Sequence, residues 1–305
     1  MKINRIIVQP SLLLLLVVFA VVLQSCRTKT RNYHPIEQDT FPEMEYELNF
    51  RGVQMVNTKG GFNVPESVTV DGHDNYIYVS NINGMPDEKN GSGYVTRVMF
   101  SGDIIDTLKL NGLNAPKGMV VANNYLYIAD IDRVIVYNVE KQELINILVP
   151  EGAEFLNDIT ADADDNVYVS DSKAGKVFRI SQLNISTFVC DSLSAGVNGL
   201  CVADAYIAMG AANRIVLINP MNARTKIFAN LSFTPDGLKR HNDTTFLASD
   251  FVGNIYSVTP KNCRLLVSAR ENVNAADFEY IPEQNILIVP TFFNNTIDIY
   301  HIGLD

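Results

Sequence analysis

An all-β fold is what this sequence predicts: a six-bladed β-propeller of four-stranded antiparallel blades, its ring closed by an N-terminal strand. Three observations carry that expectation. One short pattern, a polar residue and a small or polar residue opening an apolar run, recurs at Glu66-Ser67-Val68, Lys117-Gly118-Met119, Asn157-Asp158-Ile159, Asn198-Gly199-Leu200, Asp236-Gly237-Leu238 and Ala276-Asp277-Phe278. The intervals between first residues are 51, 40, 41, 38 and 40, and a fixed period of this size marks a repeat architecture. Each period holds several short segments rich in β-branched and aromatic residues, separated by turn clusters, and no stretch keeps a capped 3.6-residue apolar period.

The chain opens with Lys2 and Arg5, then an unbroken apolar run from Leu12 to Leu23. That run is too short to span a hydrocarbon core of about 30 Å, and a basic start before a short apolar stretch is the build of a secretory signal. Leu23-Gln24-Ser25-Cys26 follows. It resembles the lipobox of bacterial lipoproteins, in which the cysteine is lipidated and begins the mature chain; Gln24 stands where Ala or Gly is commoner. Residues 1–25 are therefore expected to be a lipoprotein signal peptide. Residues 26–43 lack periodicity and read as a flexible tether, and residues 44–305 as the propeller. The expected location is the cell envelope, periplasm-facing, with the lipid as the only membrane contact.

Removing two basic and no acidic residues with the signal would move the net charge from -10 to -12. An acidic surface argues against nucleic acid as a partner. Cys201 lies in the apolar stretch GLCVADAYIAM and is expected to be a buried small hydrophobe.

Inside the third repeat, Ile159 to Asp162 is a short strand and DADDN a turn. Strands Val167–Ser170, Lys176–Ile180 and Ser186–Cys190 complete the unit. SVTVD, YIYVSN, YVTRVMF and IIDTLKL repeat this plan in the first unit. The last unit shows only DFEYI, NILIVPT and TIDIYHI. Its missing strand is expected from EYELNFRGVQMV, residues 45–56, which would leave no blade unpaired at the seam. The alternation slips at Arg51-Gly52-Val53, which predicts a bulge.

The innermost strands of a propeller line its channel, so the six first residues should form a ring at one mouth. Glu66, Asn157, Asn198 and Asp236 bring oxygen donors suited to hard cations. Two facing carboxylates resist ionisation unless a cation offsets their repulsion. Calcium is the first expectation for a divalent cofactor, with magnesium, manganese or zinc as alternatives. Asn198-Gly199 and Asp236-Gly237 are also ordinary turn dipeptides. Asn81, Asp130, Asp171 and Asp250, each ending a second strand, should rim the same mouth, or begin the turns into the third strands. The long Ile82-to-Gly93 connection is either a lid or a surface insertion.

The segments PESVTVD, FLNDITADADDNVYVSD, VNGLCV and TPDGL resemble the metal-site segments of the senescence-marker-protein/gluconolactonase (regucalcin-like) family of six-bladed propellers. The resemblance covers roughly residues 60–300. It implies Glu66, Asn198 and Asp236 as metal ligands, Asn157 as a group positioning substrate and water, and Asp236 as the proton acceptor, with Asp158 a weaker candidate. Metal-assisted hydrolysis of a lactone or ester is the activity it implies. The arginine that many family lactonases place before the substrate-side Asn is absent; Phe155-Leu156 stands there. The blade-two stretch LNAPKGMVVANNYLYIAD resembles an NHL repeat, whose propellers often bind a ligand or protein partner without catalysis. GxSxG, HExxH, GxxxxGK and GxGxxG are all missing.

Overall fold

The computed structural model describes residues 50–71, 76–270 and 273–304. The expected signal, Cys26 and the tether lie outside these residues. Among the described residues no helix is long and apolar enough to cross a membrane.

Among the described residues, twenty-four strands form six four-stranded antiparallel sheets arranged as a ring. Blade one comprises β2 (Pro65–Asp71), β3 (Tyr76–Asn81), β4 (Tyr94–Met99) and β5 (Ile104–Thr107). Blade two comprises β6 (Pro116–Ala122), β7 (Tyr125–Asp130), β8 (Arg133–Asn138) and β9 (Glu143–Leu148). Blade three is β10 (Leu156–Ala161), β11 (Val167–Asp171), β12 (Lys176–Ser181) and β13 (Asn184–Val189); blade four is β14 (Val197–Ala203), β15 (Tyr206–Ala211), β16 (Arg214–Ile218) and β17 (Thr225–Asn230). Blade five is β18 (Leu238–Asn242), β19 (Thr245–Ser249), β20 (Ile255–Val258) and β21 (Cys263–Val267). Blade six contains β22 (Glu279–Ile281), β23 (Ile286–Thr291) and β24 (Thr296–Leu304), and its outer strand is β1 (Phe50–Gly60) from the other end of the chain.

That closure is the expected one. β1 pairs with β24 over its length, and the pairing slips between Phe50 and Gly52, where the sequence predicts a bulge. A second slip falls between Met55 and Asn57. Closing the last blade with the first strand pairs the two ends of the ring by main-chain hydrogen bonds.

The hydrophobic pattern follows position within a blade. β11, VYVSD, is buried throughout because it packs against both neighbouring blades, whereas the outer strand β9, ELINIL, is exposed but for its last residue. Six apolar clusters fill the junctions between successive blades; Tyr127, Val136, Leu156 and Phe178 join blades two and three, for example. Each such side chain contributes roughly 1.5–3 kcal/mol by leaving water. Cys201 sits in one of these junctions, 5% exposed, as expected. A smaller seventh cluster, containing Ile82, Ala276 and Phe292, lies at the channel mouth.

Tight turns use residues that tolerate the left-handed region. Asn123 and Asn124, at φ 49° and 63°, join β6 to β7, the conformation that a two-residue hairpin needs.

Candidate functional site

The inner strands are not regular where the repeated pattern begins. In blade one Pro65 pairs with Asn81, but the next pair is Val68 with Val79, so one extra residue is accommodated at Glu66-Ser67. The same slip occurs at Lys117-Gly118, Asn157-Asp158 and Asn198-Gly199. A bulge at a strand end re-aims a side chain, and here it turns the first residue of each pair into the channel. In blades one to four the ring residues therefore lie inside β2, β6, β10 and β14 rather than ahead of them.

All six ring positions, Glu66, Lys117, Asn157, Asn198, Asp236 and Ala276, line one cavity of about 320 Å³. That is the small end of the range for ligand pockets, roughly 300–1,000 Å³. Residues spread over 210 positions of chain, from Glu66 to Ala276, thus converge on one space.

The glycines after the ring residues are not turn formers. Gly199 lies within β14, and Gly237 accepts a ladder hydrogen bond from the Ser249 N–H at 3.0 Å. Neither has positive φ. Their role is close approach: a Cβ on Gly199 would stand 2.6 Å from the Asp236 carbonyl oxygen, and one on Gly237 2.7 Å from Asp277 Oδ1. The turn interpretation of Asn198-Gly199 and Asp236-Gly237 is thereby corrected.

Glu66 is 6% exposed, and its Oε2 has no hydrogen-bond partner; Asn198 Oδ1 is likewise buried and unpartnered. Asn198 Nδ2 donates to Asp236 Oδ1, which leaves the amide oxygen free. Asn157 Nδ2 donates to Ser172 Oγ at 3.2 Å. Buried oxygens without donors carry a desolvation penalty of about 1–3 kcal/mol each, more for charged groups. A hard cation would satisfy them, so the donor set fits a metal of the calcium or magnesium kind. Among the described residues no three Asp, Glu, His or Cys side chains cluster as a ready metal site; the set depends on two carboxylates and amide oxygens.

Electrostatics follow from crowding. Burial pushes the Glu66 carboxyl well above its usual range, with the Lys117 ammonium pulling it back and Asp236 pushing it further up. Asp236 is raised to about 7, first by burial and then by the charge of Asp277. Burial lowers Lys117, whose Nζ donates to the Pro86 and Ala115 carbonyls at 2.8 and 3.0 Å and lies 4.5 Å from the Phe155 ring centroid. The Pro86 bond ties the Ile82-to-Gly93 loop to the ring, and Ile82 and Pro86 line the cavity. That loop forms part of the site's wall.

The proposed rim is corrected. Asn81, Asp130, Asp171 and Asp250 do not line the cavity. Asp130 accepts from the N–H groups of Asn114 and Ala115, Asp171 from those of Glu154 and Phe155, and Asn81 Oδ1 from that of Asn63. Each fastens the segment leading into its own blade's inner strand. Asp250 accepts from Gly253 N, Asn254 N and the Tyr256 hydroxyl, holding the tight loop that carries Phe251. Asp158 is also a fastener: its Oδ2 accepts from Leu200 N of the next blade at 2.6 Å and its Oδ1 from Ile159 N at 2.7 Å. His241 lies in β18 with its Nδ1 2.9 Å from the Tyr280 hydroxyl.

Two features escaped sequence reasoning. Val64 and Ile131 adopt φ 53° and 58°, an outlier conformation for β-branched residues. Val64 is two residues from Glu66, and the Ile131 carbonyl accepts from Leu156 N at 2.6 Å, one residue before Asn157. Strain of about 1–3 kcal/mol per residue persists only where its surroundings enforce it. The second feature is aromatic. Phe251 and Phe292 line the cavity, and Phe293 packs edge-on against both. Phenylalanines in two consecutive blade loops, FVGN and FFNN, were the available signal.

No protein-family profile and no curated protein matches the chain. Solved structures do. A propeller provisionally described as a gluconolactonase superposes with TM-score 0.62 at 14% identity, covering 83% of this chain and 92% of that one. A catalytically inactive virginiamycin B lyase from Staphylococcus aureus with quinupristin gives 0.59 at 14%, covering 84% and 99%. A chain of a nidogen–laminin complex gives 0.57 at 17%, covering 67% and 83%. At such identities the likeness is one of fold: this chain shares the β-propeller with proteins described as a gluconolactonase, a virginiamycin B lyase and a chain of a nidogen–laminin complex.

Proposed function

We propose that the chain is a metal-dependent hydrolase of the lactonase or esterase type, acting on a small molecule in the channel-mouth cavity. The observation that carries this is the pair of buried, unpartnered oxygens, Glu66 Oε2 and Asn198 Oδ1, facing the same cavity as Asp236. Glu66, Asn198 and Asp236 would hold the cation, calcium by preference. When bound, a cation there supplies polarisation of the substrate carbonyl and offsets charge developing on its oxygen. Asp236, held in the cavity by the Asn198 amide, takes a proton from the attacking water as general base. Asn157, oriented by Ser172, positions that water or the ring oxygen of the substrate. The acyl C–O bond breaks as the new one forms, and the leaving alkoxide collects the proton. Attachment through a lipid at Cys26, facing the periplasm, belongs to the same proposal.

One observation favours a second function. Lys117 brings an ammonium into the ring beside Glu66 and supplies a counter-charge of its own. A non-catalytic propeller that binds a ligand or a protein partner would need no more. Calcium titration by calorimetry, with hydrolysis of a lactone and aryl-ester panel by wild type and Asp236→Ala, with and without chelator, separates the two. Chelator-sensitive turnover lost in Asp236→Ala supports the hydrolase; a bound cation without turnover supports the binding module.

A further inference from the structure

We propose that the ligand of this cavity carries an apolar group, aromatic or branched alkyl, beside its scissile acyl–oxygen linkage, and is not a polyhydroxylated sugar acid. This rests on the hydrolase assignment above and names its substrate class. The polar side chains lining the cavity are the ring residues Glu66, Lys117, Asn157, Asn198 and Asp236, together with Thr234. With Ala276, the apolar walls are Ile82, Pro86, Phe155, Pro235, Phe251 and Phe292. A sugar acid would press a hydroxyl from nearly every carbon against those walls. Each hydroxyl stripped of water without a new partner costs on the order of 1–3 kcal/mol. An apolar group there gains instead.

The aromatic side is built rather than incidental. Phe251 and Phe292 stand edge-to-face with centroids 5.5 Å apart, and Phe293 packs edge-on against Phe292 at 4.9 Å. Phe251 is 44% exposed and Phe293 62%, so much of this surface lies open next to the cavity. Asn274 ties the two loops together: its side-chain Nδ2 donates to the Phe251 carbonyl at 2.9 Å and its carbonyl accepts from Phe292 N at 3.0 Å. Preorganised rings bind an apolar group without an added ordering cost. Elsewhere on the lining, the Phe155 ring is flanked by the Lys117 and Lys173 ammoniums at 4.5 and 4.8 Å. That cation-lined face leaves the Phe251–Phe292 side as the seat for the apolar group.

The test compares kcat/KM for γ-phenyl-γ-butyrolactone, γ-butyrolactone and glucono-1,5-lactone in wild type, Phe251→Leu and Phe251→Ala, with melting curves to verify folding. The phenyl lactone is expected to exceed the gluconolactone by tenfold or more. The phenyl-to-unsubstituted ratio is expected to fall about five- to tenfold in Phe251→Ala and less in Phe251→Leu. Turnover of all three lactones with no phenyl preference, and an unchanged ratio in the variants, overturns the apolar assignment while leaving the hydrolase standing. If none is turned over, calorimetry with 4-hydroxy-4-phenylbutanoate decides. Binding weakened by Phe251→Ala supports the apolar seat and sinks the hydrolase, and no binding overturns the seat as well.

Discussion

Two acidic layers lie one residue apart along the inner strands, and they meet opposite ends. Of the first residues of the repeated pattern, Glu66, Asn198 and Asp236 reach the open cavity; Glu66 Oε2 and Asn198 Oδ1 are unpartnered there, and Asp236 Oδ1 accepts from Asn198 Nδ2. The second residues face the neighbouring blade. Asp158 accepts main-chain N–H groups from its own strand and from blade four. Asp277 Oδ2 accepts from Ser67 Oγ at 2.8 Å and lies 3.6 Å from Lys239 Nζ. Burial pushes Asp158 up as it does Glu66; burial alone would lower Lys239, but Asp277, Glu279 and Asp158 hold it above its usual range. The second-layer carboxylates are tied to neighbouring blades, although Asp277 Oδ1 is itself buried without a donor; the first-layer carboxylates line the cavity and are available to a ligand. Residue type does not tell the layers apart; the phase of a bulge does.

The largest contrast should come from the acids themselves. Asp236→Asn is expected to lower kcat/KM by about a hundredfold or more while thermal stability holds. Abolished cation binding in Asp158→Asn with the fold intact would erase the distinction between the layers.

Gly199→Ala comes next. Its Cβ would meet backbone atoms at 2.6 and 2.9 Å, which cannot swing away, so chemical denaturation should show a loss of about 3 kcal/mol. Asp158→Asn should cost about 2 kcal/mol, because an amide oxygen accepts where two carboxylate oxygens did, with calcium affinity within about threefold of wild type.

The pH dependence sharpens the comparison further. Asp236 is raised from 3.8 to about 7, so the cation-free folded chain holds a proton that the unfolded chain releases. That contribution is fully present below pH 3.8 and is lost as pH rises through about 7. Measured against Asp236→Asn, chelated wild type should lose several degrees of Tm between pH 4 and 8, and calcium should restore them at pH 8. A flat difference across this range would mean that Asp236 is not desolvated as its surroundings imply. The smallest effect is expected from Ser80→Ala, which removes the acceptor of Ser67 N at 2.9 Å in the bulge; about 1 kcal/mol is anticipated.

Much of the fold was legible because a propeller repeats. Each blade must bury the same faces against its neighbours, so strand positions recur in register, and YIYVSN and VYVSD fall on β3 and β11. The closing strand and its bulge were legible from EYELNFRGVQMV and the slip at Arg51-Gly52-Val53, of which the described residues 50–56 lie in β1. The ring was legible for the same reason: equivalent phase means equivalent height in the channel. Asn81, Asp130, Asp171 and Asp250 were misplaced because sequence phase gives the end of a strand and not the direction of its side chain. Short acidic side chains at such ends find nearby backbone donors first.

By itself, then, the sequence determined the number of blades, the seam and the set of residues that share a channel, because periodicity is a property of the chain. Which oxygens stay free, why Gly199 and Gly237 are glycine, and the aromatic wall of Phe251 and Phe292 were decided only by tertiary structure. Those features depend on distances between neighbouring blades, and such distances follow from how the blades pack together.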